Sequence, residues 1–179
     1  MFYTVLQIVF LILLFFFFEF FVVQIYNLIF RGYAPFIATK KKIIERLLEE
    51  IKIDDKATVI ELGAGKAGFL QALRKEYKNI KLIGVEFSSV PCLIGKIQSA
   101  VTGSRIIFKK ENIFKTDLSK ADLIYCYLNV KTMNRLEEKF SKELAPNTQV
   151  VSYQFRLPNK KEEKMVDMGK NGKIWFYQF

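Results

Sequence analysis

The stretch Thr58-Val59-Ile60-Glu61-Leu62-Gly63-Ala64-Gly65-Lys66-Ala67-Gly68 is a short β-type run that ends in a glycine turn and continues as helix. Gly63 and Gly65 remove side chains where backbone amides approach a ligand, and a helix starting near Ala67 offers unpaired amides at its positive end. The next strand reads as Lys81-Leu82-Ile83-Gly84-Val85-Glu86, closing in a carboxylate able to accept both hydroxyls of a ribose. Together the two runs point to an α/β sheet that grips a nucleotide-bearing cofactor.

The same letters satisfy GxGxxG at Gly63, Gly65 and Gly68, so the glycines alone leave a nicotinamide or flavin site open beside a second cofactor class. Glu61 separates them. It stands two residues before the first glycine, where a dinucleotide-binding strand carries an apolar residue. An acid there, then Gly63 and Gly65, then Glu86 at the end of the second strand, resembles the arrangement of class I S-adenosylmethionine-dependent methyltransferases. Glu61 at a strand end can order the loop and sit near the cationic methionine portion of that cofactor. The competing reading is a solvated acid above glycines that form only a tight turn. Dehydrogenases usually need a further substrate domain, for which 179 residues leave no room.

Upstream lies a different kind of sequence. Residues 1–30 carry one charge, Glu19, among Phe, Leu, Ile and Val, and about 20 apolar residues suffice to cross a bilayer. The run lacks the basic start and small-residue cleavage site of a signal peptide, so a membrane anchor is the expectation, ahead of a signal peptide or a buried core helix. No Lys or Arg precedes it, whereas Arg31 and Lys40 to Lys42 come soon after, which places the rest of the chain on the cytoplasmic side of a single-pass protein. Glu19 either marks helix pairing or contact with a membrane substrate, or approaches the headgroups. The expected organisation is an anchor over 1–30, a connector and capping helix over 31–55, and a cofactor-binding domain over 56–179.

The chain's formal charge is +10, and Glu19 and Arg31 cancel, so the whole excess belongs to the residues beyond the anchor. Attraction of Lys40, Lys41 and Lys42 to anionic headgroups accounts for it. Nucleic acid is the disfavoured partner, because Lys109-Lys110 and Lys160-Lys161 are scattered among acids and form no nucleic-acid module. Cys92 and Cys126 stand in no paired motif and fit a reduced compartment. With no histidine, Cys-His zinc sites and Ser-His-Asp or Cys-His catalysis are excluded, and no metal site is expected.

Periodicity predicts a helix capped by Thr39, with Ile43, Ile44, Leu47, Leu48 and Ile51 on its apolar face. It then predicts strands at 58–62, 81–86, 105–108, 122–128 and 149–155, with helices at 67–77, 90–102 and 130–144 between them. The near-continuous apolar run from Asp122 to Leu128 suits a central parallel strand. Asn171-Gly172 between strand-like runs predicts a C-terminal β-hairpin. The fold class is therefore α/β, a doubly wound, mostly parallel Rossmann-like sheet ending in a hairpin and preceded by one transmembrane helix.

From Tyr33 to about Pro158 the order of segments resembles the family of the ATP synthase c-subunit lysine N-methyltransferase and its small prokaryotic lysine methyltransferase relatives. Four places carry the resemblance: Ala34-Pro35-Phe36 through Thr39, Glu61 to Gly65, Gly84-Val85-Glu86, and Asn112-Ile113-Phe114 leading to Ala121 through Leu128. It implies S-adenosylmethionine held by Thr39, Glu61, Gly63, Ala64, Gly65, Glu86 and Asn112. It also implies a protein substrate with a lysine acceptor, approached past Tyr127 and Asn129. Thr39 and Tyr33 would close over the cofactor, or else serve as a cap and a membrane-interface aromatic, and Tyr125 would line the acceptor opening or be a core residue. The chain departs from the family at Lys66-Ala67, where Asp-Gly is usual, at Gly68 in place of Arg, at Asn112 in place of Asp, and at Asn129-Val130 in place of Phe-Pro. Lys66 would pair with the methionine carboxylate or point to solvent. A methyltransferase for a lipid or small molecule, and a non-catalytic cofactor-binding module, remain alternatives.

Overall fold

In the computed structural model the described residues are 2–26 and 37–179, and the chain divides into two units, 1–35 and 36–179. The first unit holds one helix, α1 (Phe2–Tyr26), long and apolar enough to cross a membrane by length and composition, with its side chains exposed along nearly all of it. Arg31, Tyr33 and Ala34-Pro35-Phe36 lie outside the described residues.

The second unit alternates helix and strand: α2 (Lys41–Glu50), β1 (Thr58–Leu62), α3 (Gly68–Glu76), β2 (Lys81–Glu86), α4 (Ser89–Thr102), β3 (Ile107–Lys110), β4 (Leu123–Cys126), α5 (Val130–Glu143) and β5 (Gln149–Tyr153), then β6 (Lys164–Asp167) and β7 (Lys173–Gln178). The seven strands form one sheet in the order β3-β2-β1-β4-β5-β7-β6. The first five are parallel, and β7 enters antiparallel between β5 and β6. This is the expected doubly wound sheet with its terminal hairpin.

Side-chain alternation splits the core in two. Val59, Leu82, Leu123, Tyr125, Val151 and Phe176 face Ile43 and Leu47 of α2, Phe69, Leu70 and Leu73 of α3, and Cys92 of α4. Ile60, Leu62, Val85, Ile124, Cys126 and Val150 face Met133, Leu136 and Phe140 of α5. Both faces of β1 and β4 are buried, which explains why their sequences are continuous apolar runs broken by so few polar residues.

Several local expectations are corrected. Thr39 does not cap α2: Lys40 holds the N-cap position without a side-chain bond, and Thr39 Oγ1 instead lies 2.9 Å from the Tyr125 hydroxyl. β3 begins two residues later than its β-type letters, because Arg105 takes a left-handed φ of 53° and Ile106 N donates to Ser99 Oγ of α4 at 3.0 Å. β4 stops at Cys126, where its pairing with β1 ends opposite Leu62, so Tyr127 and Leu128 belong to the loop beyond it. β5 ends at Tyr153, since Gln154 at φ 73° turns its N–H onto Lys173 O at 2.8 Å.

Two glycines in helices have opposite surroundings. A Cβ on Gly95 would come within 2.4 Å of Phe108 Cε1 and 3.1 Å of Gly65 O, whereas one on Gly68 would rest 3.7 Å from Ile44 Cδ1. Gly95→Ala is therefore expected to destabilise the protein by about 1–3 kcal/mol through overpacking, and Gly68→Ala to be neutral or to stabilise by up to about 1 kcal/mol. Denaturant titration of both variants beside the parent checks the pair of signs.

Candidate functional site

The predicted site residues assemble where β1, β2 and β4 end. After Leu62 the chain enters a turn with Gly63 at φ 70°, Gly65 at φ 53° and Ala67 at φ 55°. The first two are positions that glycine adopts without steric penalty. Ala67 is a fully buried alanine in the same left-handed region, at a strain of roughly 1–2 kcal/mol. Leu128, from the loop after β4, packs beneath the turn, and a Cβ on Gly63 would meet its Cδ2 at 2.8 Å.

The turn's amides are less available than the sequence suggests. Gly63 N and Ala64 N both donate to Val85 O at 2.9 Å, and Ala67 N donates to Ala64 O at 2.6 Å. Gly65 N donates to Glu86 Oε2 at 2.9 Å, and Ser88 N to Glu86 Oε1 at 2.8 Å. Glu86 thus fastens the glycine turn to the start of α4, and each carboxylate oxygen keeps a further lone pair for a diol.

Glu61 is not a solvated strand end. It is buried, it pairs in register with Gly84 and Tyr125, and Leu70 N of α3 donates to its Oε2 at a long 3.4 Å. Burial pushes its carboxyl up to about 8, the Leu70 bond opposes that, and the Glu86 charge adds to it. A buried acid so weakly compensated, under two left-handed glycines, suits a ligand with positive charge, which would favour the ionised form. The residues present therefore fit S-adenosylmethionine. The third glycine of the GxGxxG pattern, Gly68, has room for a side chain and makes no close helix-to-strand approach, unlike its counterpart in a dinucleotide fingerprint.

The remaining predicted residues have structural partners too. Asn112 Oδ1 accepts from Phe114 N at 3.0 Å, a local turn that leaves its amide group for other use. Asn129 Oδ1 caps α5 by accepting from Thr132 N at 2.9 Å. Lys66 is exposed and takes part in no ion pair among the described residues.

Aromatic side chains gather at the end of β4. Tyr125 is buried, with its ring 4.4 Å from Phe69 and its hydroxyl pushed well above the usual phenol range by burial, so it is a core residue. Tyr127 is half-buried, on the same face and 4.7 Å from the ring of Tyr153, and burial followed by the Tyr153 hydroxyl raises its pKa. Tyr153 O–H donates to Asn171 O in the hairpin turn at 2.5 Å, and Lys40 Nζ reaches Asn171 Oδ1 at 3.5 Å. Sequence reasoning missed Tyr153 and Asn171, since only the antiparallel seating of β7 against β5 brings residues 153 and 171 together. The one available signal was the aromatic at the end of β5.

Known proteins resemble this chain in sequence and in fold. The family model of the ANTKMT methyltransferase domain matches residues 61–164. A protein-lysine N-methyltransferase of Saccharolobus islandicus (strain REY15A) is 30% identical over 151 residues, covering 81% of this chain and 93% of that protein. Among solved structures, an RNA methyltransferase from Salinibacter ruber in complex with S-adenosyl-L-homocysteine superposes with a TM-score of 0.75 at 20% identity, over 79% of this chain and 93% of that one. The PH0226 protein from Pyrococcus horikoshii OT3 gives a TM-score of 0.64 at 14% identity, over 87% and 98%. These two share the fold.

Glu61 also makes stability depend on pH. Its carboxyl ionises near 4.5 in the unfolded chain and near 8 in the fold, so between those values the folded state holds one more proton. Its contribution is fully present below pH 4.5 and is lost as pH rises through 8, at up to about 1.4 kcal/mol per pH unit. Denaturation of the detergent-solubilised, ligand-free protein at several pH values is expected to show this decline, and Glu61→Gln to flatten it.

Proposed function

From the premise that the chain belongs to the ANTKMT methyltransferase-domain family and is an S-adenosylmethionine-dependent methyltransferase, we propose that it methylates lysine ε-amines of a membrane or membrane-docked protein. The observation that carries the lysine reading is the half-buried Tyr127 ring, set against Tyr153 just beyond β4 and beside the glycine turn. The Saccharolobus relative is a protein-lysine N-methyltransferase, which supports it. For the setting, α1 is read as a single-pass anchor over residues 1–30, the basic remainder facing the cytoplasm, with 31–55 as connector and capping helix and 56–179 as the methyltransferase domain.

When bound, S-adenosylmethionine supplies a methyl group on a sulfonium, already reactive toward a neutral amine. The chain's share is to align, dry and deprotonate. Gly63, Ala64 and Gly65 shape the cradle, in which Glu61 would hold the cationic methionine portion, Glu86 would accept hydrogen bonds from the ribose hydroxyls, and Asn112 would bond the adenine. Thr39, tied to Tyr125, closes the same side. The Tyr127 hydroxyl oxygen accepts a hydrogen bond from the amine N–H and leaves the nitrogen lone pair free for attack. A lysine entering past the open side of the Tyr127 ring is stripped of water, which lowers its pKa and sends its proton to solvent before the carbon–nitrogen bond forms and the carbon–sulfur bond breaks. Asn129 holds the loop after β4 by capping α5.

Methyl-label transfer from S-adenosylmethionine to membrane extract tests the reading. Label is expected in protein, at lysine by mass spectrometry. Tyr127→Phe is expected to lower transfer about tenfold, the equivalent of one lost hydrogen bond. Glu86→Gln is expected to weaken S-adenosylhomocysteine binding by calorimetry. Label confined to the lipid phase makes the protein a lipid methyltransferase, and cofactor binding without any transfer makes it a binding module; either result sinks the lysine reading.

A further inference from the structure

Helix α4 has two apolar faces, and the sheet needs only one. Pro91, Cys92, Gly95 and Ser99 are buried against β3 and the glycine turn. On the other side Val90 is 55% exposed, Leu93 59%, Ile94 39%, Ile97 57% and Val101 82%. At 100° per residue these five fall within about 100° of one another, a continuous stripe opposite the buried face. Solvent-facing helices of soluble domains carry polar residues there, and a contiguous apolar patch marks something that covers it.

The surrounding charge indicates what covers it. From Phe87 to Lys110 the chain has four cations, Lys96, Arg105, Lys109 and Lys110, and no acid. Lys96, Arg105 and Lys110 are exposed and enter no ion pair among the described residues. A second copy packed on the stripe would set these cations against their own kind. An anionic leaflet would attract Lys96, Arg105 and Lys110 while the stripe enters the acyl boundary, the mode of an interfacial amphipathic helix.

We propose that the exposed face of α4, with the basic residues that come after it, docks on the surface of an anionic bilayer. The inference rests on the membrane-anchored reading of the chain, because a protein whose α1 lies in a bilayer meets lipid at high effective concentration. Docking also has a consequence for the site. The inner face of α4 touches the glycine turn, with the Cβ position of Gly95 3.1 Å from Gly65 O, so a bilayer on the outer face fixes how the cofactor turn is presented to the membrane surface.

The full chain in nanodiscs of phosphatidylcholine, with or without phosphatidylglycerol, tests the proposal. A fluorophore is placed singly at Ile97→Cys, Val101→Cys, Lys142→Cys or Phe15→Cys; the native Cys92 and Cys126 are buried. The label is then exposed to a doxyl-lipid quencher or to aqueous iodide. Positions 97 and 101 are expected to be quenched by lipid, about fivefold more with phosphatidylglycerol than without, and shielded from iodide, while 142 behaves oppositely. Adding Ile97→Glu is expected to abolish lipid quenching at 101. Positions 97 and 101 open to iodide while 15 is quenched by lipid would overturn docking and leave the anchor standing. Position 15 open to iodide as well would overturn the anchor and docking together. Shielding at 97 without lipid quenching, lost at one chain per disc, would assign the stripe to a second copy and overturn the proposal.

Discussion

The hydrogen bonds that tie the exit turn of β1 to its neighbours hold the molecule's functional end together. Gly63 N and Ala64 N close on Val85 O, Gly65 N closes on Glu86, and Leu70 N closes on Glu61. Three elements, β1, β2 and α3, thereby meet at one backbone turn whose shape is held by bonds within the chain. A cradle held in this way spares ordering cost on binding. The same bonds constrain composition. Left-handed backbone calls for Gly63 and Gly65, Leu128 must fit under the turn, and α4 can come close only because position 95 has no side chain.

Glu61 is the destabilising member of this arrangement. A carboxyl inside a parallel sheet, with one long backbone bond, is held mainly in its neutral form. A structural acid would be better replaced by an apolar residue, since Val59, its neighbour on the same face of the strand, is packed into the core there. A positively charged ligand would offset that desolvation, and perturbed acids of this kind cluster at binding sites.

Beside the glycine turn, at the same end of the parallel array, the aromatic residues divide their tasks. Tyr125 is sealed into the core and bonded to Thr39, while Tyr127, two residues on, has left the strand and is half-open. Tyr153 and the hairpin turn at Asn171 buttress it. A rigid aromatic wall suits an acceptor that must arrive dehydrated and aligned.

The sequence by itself determined the elements with strong local signatures. β1, β2 and α5 lie within a residue or two of their periodic patterns, because alternation, glycine turns and caps are nearest-neighbour effects. It also determined the parallel sheet, the hairpin at Asn171-Gly172 and the glycine turn, and through Glu61 the kind of ligand. Only the tertiary structure decided that β7 lies between β5 and β6, that β3 starts beyond Arg105, that Thr39 serves Tyr125 and not α2, and that Tyr153 meets both Tyr127 and Asn171. Those outcomes depend on hydrogen bonds between groups far apart in the chain. The exposure of α4 belongs with them: only the placement of the sheet on one side of the helix leaves Val90, Leu93, Ile97 and Val101 bare.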